Sequence, residues 1–500
     1  MCLLVFFTLK ITESVEIPSK PNVVLIYGDD VGYGDLNVYG HPTSWTPNLD
    51  RMAREGLRML QFYSAAPICS PSRASLMTGR LYPRTGVYRS PSSTNPTGLD
   101  VFSPGDGGGM LLSEITVAQV LKEHGYATGM VGKWHLGIGE QGEYLPHSRG
   151  FDSYFGLPFT QSACLSDINP VPPSPDHPGY CFLYRNSTIV SQPADIRDLD
   201  AVYVQEAKEF ISNHQHEPFF FYFASHHTHR PQWASSRYQD TTRRGIFGDA
   251  LAELDWSVGE ILSHLESLSL DSQTLVVFMS DNGPELKDIE TGGEQGPLKC
   301  GKGTTYEGGV REPAIFWWPG IIPSHSISES ISSTLDLFTT IVSLTGATLP
   351  NDRATDGIDL TQLLTNDTTA IVRDRFFYYS GVYLMAVRYH HYKVHFWTMG
   401  SHCFPPYPDQ DCWDTTTLSR KDPPLLFNLD HDPKERHSLN LTEYHSTMET
   451  ILKITAEHNR SMTLGVPMIG KLYNNAKFFP CCSPSCKPRP LCCSCSNDIF

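Results

Sequence analysis

Three continuous apolar runs constrain the fold of this chain more than any other feature. They are Asn22 to Tyr27 (N-V-V-L-I-Y), Pro218 to Phe223 (P-F-F-F-Y-F) and Thr274 to Met279 (T-L-V-V-F-M). Each is short and has no polar alternate positions, so a strand built from it must be buried on both faces. Helical patterns lie between them. Thr46-Pro47 leads into Asn48 to Gly56, Val117 to Lys122 and Val202 to Ile211 follow, and Leu251, Leu254, Val258, Ile261 and Leu265 line one face. Ala127 to Val131 supplies a further strand. Apolar strands alternating with amphipathic helices predict an α/β fold, a large and mostly parallel sheet flanked by helices.

After about residue 350 the texture changes. Short strands at Arg375 to Tyr379, Tyr383 to Val387 and Tyr392 to Phe396 follow one another, and a helix is expected over Tyr444 to Glu457. This predicts a smaller C-terminal α+β domain on an antiparallel sheet over 351–500, beside a main domain over 19–350. Stretches rich in Pro, Gly and Ser, Ser90 to Gly109 and Asn169 to Gly179, read as long surface loops.

Composition excludes several classes of function. Lys+Arg 38 against Asp+Glu 54 gives a net charge of −16, the wrong sign for a nucleic-acid binder. No apolar run approaches the roughly 18 residues that a membrane helix needs. Residues 1–18, with the apolar run Cys2 to Leu9, read as a signal peptide without a charged leading region; a truncated start is the other reading. Six cysteines (Cys481, Cys482, Cys486, Cys492, Cys493, Cys495) crowd the last twenty residues. This density reads as a disulfide knot in an oxidising compartment, since a zinc knuckle would show paired C-x-x-C spacing and His. Glycosylation sequons at Asn186, Asn366, Asn440 and Asn459 agree with a lysosomal or secreted glycoprotein.

The chemistry begins where the apolar strands end. Two of them run into Asp29-Asp30 and Asp281-Asn282. Ligands of open α/β sheets gather beyond the carboxyl ends of strands. If these strands are neighbours, three carboxylates and an amide converge, and an all-oxygen set suits Ca²⁺ or Mg²⁺. The plainer reading is that each pair merely begins a loop. Further on stands Pro67-Ile68-Cys69-Ser70-Pro71-Ser72-Arg73-Ala74-Ser75-Leu76-Met77-Thr78-Gly79-Arg80. Pro71 fits the first turn of a helix, which puts Cys69 at a helix N-terminus where an anion is favoured. Arg73, one turn on, can point back to the same place. Cys69 there is either an activated thiolate or a buried structural thiol.

C-S-P-S-R followed by L-M-T-G-R resembles the signature of the sulfatase family. Gly125 to His135 (G-Y-A-T-G-M-V-G-K-W-H) resembles its second signature. Asp29-Asp30, Ser225-His226-His227-Thr228-His229, Ser280-Asp281-Asn282-Gly283 and Cys300-Gly301-Lys302 also look like family positions, so the likeness covers nearly the whole chain. Within the family the arylsulfatase A group is most similar, including the Cys-rich tail, and the galactosamine 6-sulfatases come next. The resemblance implies an alkaline-phosphatase-like fold with a large mixed sheet. It implies that Cys69 is converted to formylglycine by the formylglycine-generating enzyme. Asp29, Asp30, Asp281, Asn282 and an oxygen of residue 69 would hold one Ca²⁺. Arg73 would stabilise the hydrated aldehyde and His135 would assist it. Lys133, His229 and Lys302 would grip the sulfate oxygens. Thr160 falls where the arylsulfatase A group carries Ser, inside a differing loop.

The implied activity is hydrolysis of sulfate esters, from aryl sulfates to galactolipids of the cerebroside 3-sulfate type, with a homo-oligomer as one expected assembly. A glycosaminoglycan sulfatase of the galactosamine-6-sulfatase kind and a non-catalytic binder of sulfated glycans are the alternatives. Removing Cys2 with a leader and Cys69 by modification leaves eleven cysteines, an odd number. Cys164 with Cys181 and Cys300 with Cys412 are plausible pairs, and the rest stays open.

Overall fold

A computed structural model describes residues 17–164, 181–287, 291–365, 367–401, 407–413, 417–471, 476–483, 485–487, 489 and 492–496. The expected leader falls outside them except for its last two residues, and the loop expected at Asn169 to Gly179 falls outside them entirely. In chain order the strands are β1 (Asn22–Gly28), β2 (Leu57–Tyr63), β3 (Ala127–Gly132), β4 (Ser153–Gly156), β5 (Leu183–Arg185), β6 (Thr188–Gln192), β7 (Phe219–Ala224), β8 (Thr274–Ser280), β9 (Arg311–Trp317), β10 (Ser326–Ser328) and β11 (Ser332–Ser333). There follow β12 (Arg375–Ser380), β13 (Tyr383–Tyr389), β14 (Tyr392–Thr398), β15 (Ser419–Asn428) and β16 (Cys495–Ser496).

The large sheet has twelve strands in the order β10-β2-β9-β8-β1-β7-β3-β4-β5-β6-β16, with β11 also on β2. The three apolar runs are its centre: β1 pairs in parallel with β7 on one side and β8 on the other. The sheet is mixed: β9 runs antiparallel to both β8 and β2, and at the other edge β4, β5, β6 and β16 pair antiparallel in turn. Strand β9 was hidden in the sequence by Pro313, which a central strand ordinarily excludes. Here the β2–β9 register shifts between Met59 and Phe62, and Pro313 sits opposite this irregularity.

Side chains of β1 alternate between two cores. Val23, Leu25 and Tyr27 pack with the helices Cys69–Thr78, Val117–Glu123 and Thr334–Leu344. Val24 and Ile26 pack with Pro47–Glu55, Leu199–Asn213 and Gly245–Ser267. This is why the run had no polar positions: both faces are covered. Val117–Glu123 begins with a capping box in which Thr116 and Gln119 satisfy each other's backbone N–H groups. One expectation is corrected. Residues 90–109 are irregular; Ser90 to Thr94 are exposed as expected, but the rest turns inward, and Phe102 lies in the core at 1% exposure.

Strands β12 to β15 form the expected separate antiparallel sheet, and the helix His445–Ser461 covers one face through Met448 and Ile451. The other face meets the large sheet across Tyr63, Phe376 and Tyr378 and a buried charge cluster. Lys393 Nζ lies 2.9 Å from Glu307 and 3.2 Å from Glu435, and His395 Nε2 lies 2.7 Å from Glu435. Burial pushes the Glu307 carboxyl up, but Lys393, Arg311 and Arg388 outweigh it and hold it down at about 2. A depressed carboxyl stabilises the fold above the unfolded value of about 4.3 and loses that contribution as pH falls through its folded value. The Glu307 carboxylate of this buried lock is therefore ionised at pH 5. Glu307→Gln is expected to flatten the loss of unfolding free energy between pH 5 and 3 by about 2 kcal/mol. An unchanged slope would remove Glu307 from the account.

Five disulfides are present among the described residues: Cys164–Cys181, Cys300–Cys412, Cys481–Cys493, Cys482–Cys495 and Cys486–Cys492. The tail is a disulfide knot, as its cysteine density predicts. Cys69 is the free cysteine among the described residues, and Cys403 lies outside them. The tail returns to the large sheet, where β16 pairs with β6. No helix among the described residues is long and apolar enough to cross a membrane.

Candidate active site

Parallel pairing of β1 with β8 sets Gly28 opposite Ser280. The two acidic pairs therefore leave the sheet side by side. Asp30 N–H donates to Asp281 Oδ1 at 3.2 Å, and Asn282 Nδ2 donates to Asp30 Oδ1 at 2.7 Å. All four side chains are at most 1% exposed. Asp30 adopts φ 64°, a left-handed conformation that Asp tolerates better than most residues. His135 (φ 61°) and Cys300 (φ 57°), two residues before Lys302, share it. Such backbone strain persists where surrounding structure enforces it, often at functional sites.

The helix Cys69–Thr78 points its first residue at this corner, and Gly79 at φ 65° ends it. Cys69 Sγ is 3.7 Å from Asp29 Oδ1. Burial pushes the Cys69 thiol up to about 12; Lys133 and Lys302 pull it down, but Asp281 and Asp29 push it up again. Burial and the neighbouring carboxylates thus disfavour a thiolate at Cys69. Arg73, one turn on, does point back. Its guanidinium donates to Asp281 Oδ2 at 2.8 and 3.2 Å and to Lys133 O at 3.0 Å, over the Tyr27 ring at 5.1 Å.

Lys133 follows β3. Its Nζ bridges both oxygens of Asp29 at 2.9 and 2.7 Å. Lys302 Nζ is 2.7 Å from Asp30. Burial disfavours the Lys302 ammonium, but Asp30, Cys69, Glu285 and Asp29 hold its pKa well above the usual lysine range. Burial lifts Asp30 to about 7 against the pull of Lys302, with Asp29 and Asp281 adding to the lift. Burial also works against the charged form of Asp29, but Lys133, Arg73 and Lys302 win and hold it low.

His229 Nε2 lies 3.9 Å from Asp30 Oδ2, while its Nδ1–H donates to Arg230 O at 2.6 Å. Thr160 Oγ1 stands at that same Nδ1, 3.3 Å away, and Gln161 Nε2 donates to His229 O at 2.7 Å. His135 Nε2–H donates to Phe102 O at 2.9 Å, which leaves Nδ1 as a buried lone pair without a hydrogen-bond partner. Burial, then Lys302 and Lys133, press His229 well below its ordinary value; burial, then Lys133 and Arg73, do the same to His135.

The corner fits a divalent cation. Asn282 Oδ1 is buried with no hydrogen-bond partner, among three carboxylates. Ligand atoms of Asp29, Asp30, Cys69 and His229 all lie within 4.8 Å of one another. Buried acceptors left unsatisfied and packed carboxylates are both explained by a bound cation, and oxygen donors select Ca²⁺ or Mg²⁺.

All eleven residues expected from the sequence are accounted for. Ten share one corner, connected through Asp29, Asp30 and Asp281 or, for His135, lying near Lys133 and Arg73. Thr160 meets His229 on the ring nitrogen away from Asp30. The sequence did not reveal the Phe102 carbonyl, which carries no side-chain signature, nor Gln161, which stands beside Thr160 without a motif of its own, nor the place of Tyr27 under Arg73, since its run signals only a buried strand.

Comparison with known proteins matches the same pattern. The sulfatase family profile covers residues 21–347. The chain belongs to the sulfatase family. A second profile, the C-terminal region of aryl-sulfatase, covers residues 372–495. This sulfatase is 40% identical to arylsulfatase A of Homo sapiens over 98% of each chain. It is 41% identical to N-acetylgalactosamine-6-sulfatase of Rattus norvegicus, over 90% of this chain and 88% of that one. Among solved structures it is similar to the PsFucS1 sulfatase from Pseudoalteromonas sp. The TM-score is 0.78 at 30% identity, over 89% of this chain and 92% of that one. The enzyme is a sulfuric ester hydrolase with the alkaline-phosphatase-like fold that the sequence led us to expect.

Proposed function

We propose that this sulfatase carries formylglycine at residue 69 and one Ca²⁺ held by Asp29, Asp30, Asp281, Asn282 and an oxygen of residue 69. The orphaned Oδ1 of Asn282 supports this reading most directly. When present, the aldehyde hydrate supplies one hydroxyl to attack sulfur and a second that lets sulfate depart, while Ca²⁺ offsets the charge of the ester. In the chain itself, Arg73, Lys133 and Lys302 face Asp29, Asp30 and Asp281, three cations against three carboxylates. A divalent ion leaves such a corner with two positive charges, which favours a sulfate anion.

Roles follow from protonation. Asp30, Glu285 and Asp29 favour the ammonium form of Lys302, which suits it to bind a sulfate oxygen. His135 presents the lone pair of Nδ1 and acts as base for the residue-69 hydroxyl. Neutral His229 keeps its proton on Nδ1 against Arg230 O, so Nε2 grips sulfate and protonates the leaving alcohol only as imidazolium. With the ring's pKa pressed below 6.5, that form is lost as pH rises. We expect log(kcat/KM) to fall with a slope approaching −1 as pH rises above about 6.5, and His229→Gln to flatten it. A wild-type optimum well above neutrality would overturn the role of His229.

The substrate follows the fuller likeness. Coverage of 98% of both chains favours aryl sulfates and sulfated galactolipids of the arylsulfatase A kind over 6-sulfated galactosamine. Side-by-side assay of an aryl sulfate, a galactolipid 3-sulfate and a 6-sulfated galactosamine fragment decides this. Faster turnover of the last would replace the assignment. Five disulfides, the exposed sequons at Asn440 and Asn459 and the acid-resistant lock at Glu307 support a lysosomal or secreted enzyme, modified at residue 69 by the formylglycine-generating enzyme on the way.

A further inference from the structure

The loop after β7, Ser225 to His229, carries more than His229. Asp29 N–H donates to His227 O at 3.0 Å, and Thr228 N–H donates back to Asp29 O at 2.8 Å. Thr228 Oγ1 reaches the same oxygen at 3.3 Å. The backbone that aims the Asp29 carboxylate is thus held from this loop, two residues before His229.

The side chains of His226 and His227 turn elsewhere, into a buried cluster that the chemistry above does not use. His227 Nε2 lies 3.0 Å from Asp200 Oδ2 and 3.2 Å from Glu253 Oε2. His226 Nε2 is 3.1 Å from the same Asp200 oxygen, and its ring stacks on Trp233 at 4.5 Å and 9°. None of Asp200, His226, His227 and Glu253 is more than 3% exposed. Asp200 comes from the helix Leu199–Asn213 and Glu253 from Gly245–Ser267, the two helices packed on this face of the sheet. Glu253 also accepts the N–H of Ser235 at 2.9 Å, so it ties down the chain on the far side of His229.

We propose that Asp200, His226, His227 and Glu253 form a clamp that sets the loop 225–229, and through it the aim of both Asp29 and His229. They are positioning residues, since none touches the site corner with its side chain. The proposal rests on the Ca²⁺ reading above. A neutral substitution in the clamp leaves a buried partner unmatched and lets the loop shift, and such outer partners typically cost about 10–100-fold in metal affinity or activity.

The test compares full-length, secreted Glu253→Gln and Asp200→Asn with Asp255→Asn. Asp255 lies on the same helix, is equally buried and anchors Leu49 N–H at 2.8 Å, away from the loop. Two readouts are taken: kcat and KM with an aryl sulfate, and the thermal-midpoint shift on restoring Ca²⁺ after chelation. The clamp variants are expected to lose about 10–100-fold in kcat/KM and at least half of the Ca²⁺-dependent shift. Asp255→Asn is expected to lower the midpoint while keeping both readouts. If a clamp variant does not fold, His226→Phe, which keeps the stack on Trp233 and loses only the ring nitrogens, takes its place. Clamp variants that behave like Asp255→Asn would overturn the proposal. So would stoichiometric zinc in the purified protein lost on His226→Phe, because the cluster would then be a metal centre. A wild type that shows the Ca²⁺ shift but no activity would instead fault the substrate reading, and one without the shift would fault the calcium reading.

Discussion

Cys69→Ala is expected to abolish turnover, by at least about 10⁴-fold, while the fold stays intact. The side chain is small, and a methyl in its place removes no partner that anything else depends on. Among the described residues, the hydrogen-bond contact of its thiol is the one to Asp29 Oδ1 at 3.7 Å. Alanine also suits the first turn of a helix. Loss of activity with unchanged circular dichroism and denaturation midpoint would place residue 69 in the chemistry and outside the structural core. Cys69→Ser is the sharper variant: it presents one hydroxyl where a hydrated aldehyde presents two, so at most a single turnover is expected. Mass spectrometry of the wild-type peptide carrying residue 69 should show an aldehyde. A thiol there, or an active Cys69→Ala protein, would end the formylglycine assignment.

Arg73→Ala is expected to damage folding and activity together. Arg73 is 1% exposed and is the sole side chain ion-paired to Asp281 among the described residues. Its removal strands a buried carboxylate, and breaking a buried pair in this way costs about 3–5 kcal/mol. The same loss frees Asp281 and the Lys133 carbonyl, so kcat/KM should drop by about 10²-fold or more in whatever protein folds. Arg73→Lys keeps the charge but not the planar fork, and should recover part of the stability without restoring activity. A urea midpoint unchanged by Arg73→Ala would show that Asp281 finds another partner.

The contrast between these variants follows from position on one helix. Residue 69 is the first residue of the helix and is as buried as Arg73, but it carries no ion pair. Arg73 lies one turn deeper, between the sheet and the corner, where burial makes every unpaired charge expensive. Both the proposed nucleophile position and its support therefore come from a single ten-residue element.

Much of this was legible in the chain. A continuous apolar run reports burial on both faces wherever it occurs, so β1, β7 and β8 and the helices between them could be placed from local pattern. Pro71 marked the start of the active-site helix for the same local reason. What local pattern cannot report is which segment pairs with which. Asp30 and Asn282 are 252 positions apart, and only the register of Gly28 with Ser280 makes them neighbours. The tertiary structure alone decided that β9 enters the sheet despite Pro313, that Phe102 is buried with its carbonyl on His135, and that His226 and His227 face a cluster separate from His229. Periodicity records how buried a residue is; the identity of its partner is set by long-range packing, and a backbone carbonyl leaves no trace in the sequence at all.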